Sequence, residues 1–431
     1  MRKALIRFHY VKLVIAAIVV GMFAVLLADS LKQVTAFYEE HILQRAKGFP
    51  LFFIILPTIG ITLIYFLRKY LFKGKQNKGI KEIYHTLDNR RDELPAYKIP
   101  SHYFNGFLTV IFGGSTGVEV STVVATAALG AAAHSRKSIA NIYKTELICA
   151  GVAAGIATLF GSPAAGFLFA VEVIARKINK TIFISCASSV LVAWAFMLFF
   201  EHDTLFHFKV TGWNLYAVPY LIALSILSGL IAVYFTRIVI FFKDKFGRIN
   251  NNFIRVNSGA VVVGLFIMCF PQLYGDSYHA IPNLLNHINQ QSFSVGFALL
   301  LLSIVILKPL VASLTLGAGG DGGVFAPSIV SGAVLGMLFA ITANRFFGAH
   351  LIVVNFALVG AAAALSAAIH APLTSVFLTC SLVAGGYVLF VPILIGCFIA
   401  KYAAQYILGY TVYSYKEAYA NKAQAYPASA K

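Results

Sequence analysis

Apolar residues occur in long runs along the whole chain, separated by short polar or glycine-rich segments. Several runs approach the roughly 20 residues that an α-helix needs to cross a bilayer. Others are shorter or contain Gly and Pro, which indicates helices that stop inside the membrane. The runs are Leu13–Leu27, Leu51–Leu67, Phe107–Ala133, Leu147–Ile174, Ile182–Phe200, Ala217–Ile240, Gly259–Phe270, Val295–Ile306, Gly332–Ile341, Leu351–Ile369 and Val388–Ala400. This pattern predicts an all-α, polytopic membrane protein of many short, tilted and broken helices.

The composition supports this prediction. Hydrophobic residues make up 59% of the 431 residues and charged residues only 12%, against about 25% charged in a typical soluble domain. A soluble fold could not bury so much apolar surface. The longest polar stretches, 68–101, 241–257 and the tail from 414, are predicted to be loops or a terminus. No separate soluble domain is expected.

The net charge of +18 has a simple explanation in a membrane protein. Basic residues cluster between the apolar runs, above all at Arg68, Lys69, Lys73, Lys75, Lys78, Lys81, Arg90 and Arg91. Cytoplasmic loops carry such an excess of Lys and Arg. We therefore expect this loop and the basic N-terminus on the cytoplasmic side of the plasma membrane, and no nucleic-acid partner.

The five cysteines give no sign of a metal or cofactor site. Cys149, Cys186, Cys269, Cys380 and Cys397 form no CxxC pair and lie in or beside apolar runs. They are predicted to be small apolar side chains rather than a disulfide framework.

The two halves of the chain, 1–210 and 211–431, contain similar broken segments. Glycine-rich segments at 113–121 and 317–327 are followed by Leu129-Gly130 and Leu335-Gly336, so that 11 residues separate Glu119 from Gly130 and Phe325 from Gly336. Further on, a proline segment at 160–165 matches one at 369–374. Matched Gly- and Pro-broken segments are typical of an inverted-topology repeat in a transporter.

A glycine-rich turn before a helix aims free amide N–H groups and the positive helix end at one point. This arrangement binds an anion without a full positive charge in the bilayer. Helix starts at 117–121 and 322–327 could face each other across the repeat and share an anion path. Glu119 lies in the first of them, and a carboxylate in an apolar helix costs about 2.5 kcal/mol or more. We predict that Glu119 occupies an anion site itself and leaves it when protonated. The alternative is an inert residue that favours the helix dipole.

These segments resemble the CLC family of chloride channels and transporters, along residues 10 to 420. The run from Leu314 to Ser328 is similar to the family signature with its GxFAP element, and 114–121 is similar to the GREGP segment. Ser162–Ile174 and Ala371–Thr374 resemble the helix starts that follow in each half. The resemblance implies a CLC-like inverted repeat and a homodimer whose subunits each carry a pathway. It also implies a divergent prokaryotic-type member without regulatory domains.

The resemblance also implies site residues for a small anion, chloride above all. Glu119 matches the gating glutamate, Val324 and Phe325 match the amides of GxFAP, and Tyr413 fits the tyrosine that coordinates the central anion. Val118 and Val120 flank the gate where the family has Arg and Gly, so that their amides become the anion-binding groups there.

Lys78 stands where the family has a serine that caps the central anion. Three interpretations stay open: a charged anion ligand, a counter-ion to Glu119, or one more basic residue of a cytoplasmic loop.

Val173 takes the position of the internal proton-acceptor glutamate of the exchangers, as in the channel branch. This favours passive, channel-like flow through a pathway gated by Glu119. Glu172 is a candidate for a proton path, although both branches have a glutamate there. A proton-coupled exchanger with another proton route is the alternative. A distant alternative is an intramembrane enzyme with Ser162 and His370; we expect no enzyme activity.

Overall fold

The computed structural model of the chain describes residues 2–75, 77–89, 92–135, 143–200, 204–290, 293–415 and 418, with side chains from residue 7 onward. Arg90 and Arg91 of the basic loop lie outside the described residues. Within these ranges the fold consists of sixteen α-helices and two very short strands. The predicted all-α class is confirmed.

The first half of the chain forms eight helices. They are α1 (Arg2–Lys47), α2 (Phe52–Phe66), α3 (Ile80–Asp88), α4 (Lys98–Ile111), α5 (Glu119–Ser135), α6 (Lys144–Phe160), α7 (Pro163–Phe169) and α8 (Lys180–Phe200). π-Helical turns follow α2 at Leu67–Leu71 and α7 at Ala170–Ala175.

The second half forms eight more. They are α9 (Val218–Gly247), α10 (Asn252–Cys269), α11 (Ala280–Gln290), α12 (Val295–Ala318), α13 (Phe325–Phe347), α14 (Val353–Ile369), α15 (Pro372–Ser381) and α16 (Phe390–Ile407). Strands β1 (Phe206–Lys209) and β2 (Val383–Ala384) pair in parallel. The predicted boundary between the halves, at residue 210, falls between α8 and α9.

Eight helical segments of the described chain are long and apolar enough to cross a membrane. They are Arg7–Lys47, Phe52–Leu71, Lys180–Phe200, Leu215–Gly247, Asn252–Cys269, Val295–Ala318, Phe325–Phe347 and Gly386–Ile407. Shorter apolar helices lie between them at Pro163–Ala175, Val353–Ile369 and Pro372–Ser381. The chain is therefore a multi-pass membrane protein that combines full spans with short helices, as its hydrophobic pattern predicts.

The sequence repeat corresponds to matched helices. α6 and α14 are both 17 residues long, and both end in a left-handed residue, Gly161 or His370. A proline at the first helical position then opens α7 and α15, where its missing N–H costs no hydrogen bond. The broken helices thus arise from the same local signals in each half.

The repeated glycines bring neighbouring helices together. A Cβ on Gly130 would lie 2.1 Å from the Leu147 carbonyl oxygen, and one on Gly336 would lie 2.0 Å from that of Phe356. Only glycine therefore lets α5 approach α6, and α13 approach α14, so closely. The Leu-Gly spacing that both halves share follows from this packing.

The expectation that 241–257 is a loop was wrong. α9 continues through Gly247, and α10 begins at Asn252. The charged residues in this stretch belong mainly to helix ends, and Asn251 caps α10 by accepting hydrogen bonds from the N–H groups of Phe253 and Ile254. The stretch 68–101 likewise contains α3. A helix that extends past the apolar region becomes polar without ending.

Candidate functional site

The two predicted helix starts are in contact. A Cβ on Gly322, just before α13, would lie 2.3 Å from Thr116 Oγ1, and one on Gly323 would lie 2.1 Å from Val120 Cγ2. Thr116 precedes α5, and Val120 belongs to its first turn. The close fit depends on both glycines, so the glycine-rich sequence is what lets the halves meet here.

A third helix start joins these two. Gly79 has a φ of +64° and forms the N-cap of α3, a backbone conformation that favours glycine. Its Cβ would lie 3.5 Å from Val120 Cγ1. Neither Gly79 nor Val324, the N-cap of α13, makes a side-chain capping hydrogen bond. First-turn N–H groups have no acceptor within their own helix, so the amides of these two starts are available to an external acceptor.

Tyr413 lies against the same point. A Cβ on Gly323 would be 3.3 Å from the Tyr413 hydroxyl oxygen. That hydroxyl is buried beside the Val324 backbone N–H, and its O–H donates to no acceptor among the described residues. Buried polar groups normally have partners. An orphaned O–H beside bare amides therefore marks a place for a small acceptor such as an anion.

A cavity of about 680 Å³ opens onto these helix starts; we call it the basic vestibule. Gly322, Gly323, Val324, Val120 and Tyr413 are among its lining residues. Of the described residues that line it, six are basic and only Asp244 and Asp321 are acidic. The basic ones are Arg68, Lys78, Lys81, Lys243, Arg248 and Arg255. A lining of this sign concentrates anions at the helix starts.

Lys78 is exposed and lines the basic vestibule. Its backbone N–H donates a hydrogen bond to Glu82. No ion pair joins Lys78 to Glu119 within the described ranges, and the cation that faces Glu119 is Lys308. The position suits a ligand or a steering charge better than a counter-ion to Glu119.

Glu119 is folded back over the start of its own helix. It is 2% exposed, and its carboxylate oxygen Oε2 would lie 2.2 Å from a Cβ on Gly117. Oε1 accepts a hydrogen bond of 2.8 Å from the Tyr278 hydroxyl, whereas Oε2 has no partner in the described part of the chain. The carboxylate therefore occupies the space before the first turn of α5, where the helix end would attract an anion. Val118 is half-buried and Val120 fully buried beside it.

Lys308, which the sequence analysis missed, supports this segment. It is fully buried in α12, and its Nζ donates to Ser115 Oγ (2.8 Å), the Gly275 carbonyl (2.8 Å) and Ser277 Oγ (2.7 Å). All three ammonium protons are thus used, and the loop before Glu119 is held in place. A lysine within a membrane helix is a functional candidate by default. That rule would have found Lys308 had the apolar run been extended past Ile306.

Two acidic groups and a histidine lie beyond Lys308. Ligand atoms of Glu39, Asp276 and His279 all lie within 4.8 Å of one another, and Glu39 Oε1 accepts a hydrogen bond from the Asp276 N–H. Because carboxylate oxygens and imidazole nitrogens bind metals, these three residues of the described chain could hold a metal ion. Sequence spacing does not reveal it, because Glu39 and Asp276 are 237 positions apart.

Glu172 caps a helix of the opposite half. Its Oε2 accepts hydrogen bonds from the Thr374 N–H (2.9 Å) and the Thr374 hydroxyl (2.8 Å) at the start of α15. The neighbouring Val173 is buried, and its carbonyl oxygen accepts from the Tyr84 hydroxyl at 3.1 Å. The polar groups of this turn therefore have hydrogen-bond partners. At Val173, the position that matches the proton acceptor of the exchangers, the side chain is apolar.

Ser162 and His370 do not form a nucleophile–base pair. The Ser162 hydroxyl oxygen caps α7 by accepting from the Ala165 N–H, and it also accepts from Ser381 Oγ at 2.9 Å. His370 ends α14 in a left-handed conformation. Both residues have structural positions at corresponding helix ends.

A multi-pass helical protein whose broken helices aim bare amides at the base of a basic vestibule belongs to the class of membrane anion transport proteins. Residues 59–405 match the family model described as voltage gated chloride channel. The chain therefore belongs to the voltage gated chloride channel (CLC) family. This is a family of transporters and channels, so the enzyme alternative is excluded.

Curated relatives and solved structures agree with this assignment. The chain is 27% identical over 384 residues to the H(+)/Cl(−) exchange transporter ClcA of Cronobacter sakazakii, which covers 84% of this chain and 78% of that protein. ClcA of Salmonella arizonae is 28% identical over 390 residues, covering 85% and 78%.

Among solved structures, the fold is similar to that of a slow cyanobacterial Cl−/H+ antiporter. The TM-score is 0.78 at 21% identity, over 94% of this chain and 96% of that one. A CLC-type fluoride/proton antiporter gives a TM-score of 0.76 at 21% identity, over 93% and 96%.

Proposed function

We propose that this protein carries chloride across the membrane along a path between α5 and α13 that Glu119 gates. The N–H groups of Val324 and Phe325 and the Tyr413 hydroxyl hold the anion. The amides of Val118 and Val120 take over at the start of α5 when Glu119 leaves. Lys78 attracts the anion at the entrance. The main observation in support is that the Tyr413 hydroxyl has no acceptor among the described residues and lies beside uncapped helix starts at the base of the basic vestibule.

Glu119 competes with the anion for the start of α5. While ionised, its carboxylate is attracted to the positive helix end and blocks the path. Protonation neutralises it, which weakens that attraction and lets the side chain leave. Chloride flux should therefore rise as the pH falls and decline as the pH rises.

Coupling to protons is the second candidate function. The buried Val173 favours passive flow, because an apolar side chain cannot relay a proton. The relatives are H(+)/Cl(−) exchange transporters and both solved structures are proton antiporters, which favours exchange. If exchange takes place, protons need a route other than Val173.

Assembly and location are part of the proposal. A homodimer in the plasma membrane is proposed, with a complete pathway in each subunit and the N-terminus on the cytoplasmic side. The basic residues that line the vestibule come from two chain segments, at 68–81 and at 243–255. They support this orientation, because cytoplasmic segments carry an excess of Lys and Arg. The mass of the protein in mild detergent tests the dimer, and a monomer with full transport would contradict it.

Chloride efflux from liposomes tests the function. Purified protein is reconstituted into chloride-loaded vesicles, and release is followed with a chloride electrode while valinomycin and potassium remove the membrane potential. We expect efflux faster than from protein-free vesicles, and slower efflux from a Gly323→Val variant, whose side chain would fill the space beside Tyr413. Wild-type efflux equal to that of empty vesicles would contradict the proposal.

A further inference from the structure

One region between the basic vestibule and Glu119 contains buried polar atoms without partners; we call it the polar seam. A buried polar atom that no protein group satisfies points to ordered water or an ion at that place. In the described chain the seam atoms are His102 Nε2, Asn105 Oδ1, Thr116 Oγ1, Ser121 Oγ and Glu119 Oε2. All five atoms belong to α4, to the start of α5 or to the segment just before it.

The seam runs between α4 and α5. His102, Asn105 and Gly106 lie on one face of α4, because residues three and four apart share a helix face. A Cβ on Gly106 would lie 2.4 Å from Ser121 Oγ. This face of α4 therefore packs against Ser121 in the first turn of α5.

At its vestibule end the seam begins with a contact between His102 and Asp321. His102 Nδ1 lies 3.0 Å from Asp321 Oδ2, at ion-pair distance but without hydrogen-bond geometry. Asp321 lines the vestibule. Asn77 Nδ2 donates to the same oxygen at 2.7 Å. His102 itself is fully buried.

Other charges face this pair from the neighbouring elements. Arg68, which follows α2, is the further cation near Asp321. Lys98 at the start of α4 pairs with Glu82 of α3 at 2.8 Å and donates to Asn77 Oδ1 at 3.2 Å. Asp321 is thus held by neutral and cationic groups, and His102 is the histidine in contact with this carboxylate of the vestibule.

At its other end the seam reaches the gate. Gly322 follows Asp321, and its Cβ would lie 2.3 Å from Thr116 Oγ1. The next residue after Thr116 is Gly117, over which the Glu119 carboxylate lies. Thr116 therefore joins the segment that follows Asp321 to the segment that the Glu119 carboxylate covers, and its hydroxyl has no partner among the described residues.

We propose that protons travel between the vestibule and Glu119 along the polar seam, with His102 as the relay that replaces the missing glutamate at Val173. A proton passes from vestibule water to His102, then through water held by Ser121 and Thr116 to Oε2 of Glu119. Glu119 becomes neutral, and His102 takes up another proton from the vestibule. Histidine suits this role because one ring nitrogen can accept a proton while the other donates one. The proposal rests on chloride transport gated by Glu119 and adds proton coupling to it.

Parallel recordings of chloride and protons test the inference. Vesicles with the full-length protein are given a chloride gradient without a pH gradient, and chloride release and internal pH are followed together. The wild type should build up a pH difference across the membrane as chloride leaves, because the chloride gradient would drive the protons. His102→Gln should lower the ratio of proton flux to chloride flux by roughly tenfold or more, measured on the chloride flux that remains. His370→Asn, a substitution of a histidine outside the seam, should leave the ratio unchanged.

A second pair of variants keeps the inference testable if the His102→Gln protein does not fold. Thr116→Val removes the seam hydroxyl at similar size and should lower the ratio, whereas Thr116→Ser keeps the hydroxyl and should preserve it. Normal chloride flux without proton movement in the wild type would overturn the inference. So would an unchanged ratio in His102→Gln, or equal ratios in the two Thr116 variants. Absence of chloride flux in the wild type would instead contradict the proposed transport itself.

Discussion

The starts of α5 and α13 hold corresponding places in the two halves, but different groups fill the space before their first turns. At α5 the Glu119 carboxylate lies over Gly117. At α13 no carboxylate is present in the first turn, and the uncapped Val324 lies near the unpartnered Tyr413 hydroxyl. The same helix-end attraction thus holds a side chain of the protein at one start and is left for a small anion at the other.

The two starts also differ in their support. The loop before α5 is held by the buried Lys308 through Ser115. The loop before α13 is held by Thr109, whose Oγ1 accepts from the Asp321 N–H at 2.9 Å. A fixed loop with a movable side chain suits a gate, because Glu119 can leave without disturbing the backbone that would receive the anion.

Lys308→Met should have the largest effect, on folding. The change leaves three buried acceptors without their donor, at a cost on the order of 3 kcal/mol. We expect a lower melting temperature and a smaller monodisperse fraction by size-exclusion chromatography. Lys401→Met, in α16 and away from the loop, is the matched control. A Lys308→Met protein as stable as this control would show that Lys308 does not support the gate.

Alanine at the two counterpart glycines should have opposite effects. In Gly117→Ala the new methyl group takes the place of the Glu119 carboxylate, which should displace the gate and raise chloride flux at high pH. In Gly323→Ala the methyl group meets Val120 and approaches Tyr413, which should narrow the anion site and lower flux. Chloride efflux at pH 7.5 measures both. Changes in the same direction would argue against a gate at one start and a site at the other.

Tyr413→Phe should have a moderate effect on anion binding. It removes one neutral hydrogen bond, which is worth about 0.5–1.5 kcal/mol. Chloride affinity by calorimetry should fall roughly 2- to 12-fold. Tyr415→Phe, at the next tyrosine of the same segment, is the control. Unchanged affinity in Tyr413→Phe would remove this hydroxyl from the site.

Lys78 variants should have the smallest effect. Lys78→Ser replaces a charge by a neutral hydrogen-bonding group, and Lys78→Met removes both, so chloride binding should weaken in that order. Because Lys78 is exposed, its attraction is screened and is expected to be about 0.2–1 kcal/mol. The difference from wild type should shrink at high salt. If both variants bind chloride as tightly as wild type, Lys78 is only a loop charge.

The sequence predicts the fold class, the broken helices and the contact of two helix starts, because each depends on local signals. Glycines at 322 and 323 and prolines at 163 and 372 act through their own backbone, so their positions can be found along the chain. The prediction of a loop at 241–257 was wrong, because a helix that leaves the membrane becomes polar before it ends.

Groups brought together from distant segments could not be predicted in this way. Lys308 meets Ser115 across 193 positions, and His102 meets Asp321 through folding alone. A lysine within an apolar run was a usable signal for the first contact. His102 had no such signal, because a single histidine in a helix has many ordinary places. Glu172 also needed the structure, which shows its carboxylate capping α15.

The pH profile of chloride efflux in Glu119→Gln tests the gate most directly. Glutamine has nearly the shape of a protonated glutamate and cannot ionise, so it should not compete with the anion at the start of α5. We expect wild-type flux to rise as the pH falls from 8 to 5, and the variant to show high flux that changes little over this range. A variant that keeps the wild-type profile would contradict the assignment of Glu119 as the gate.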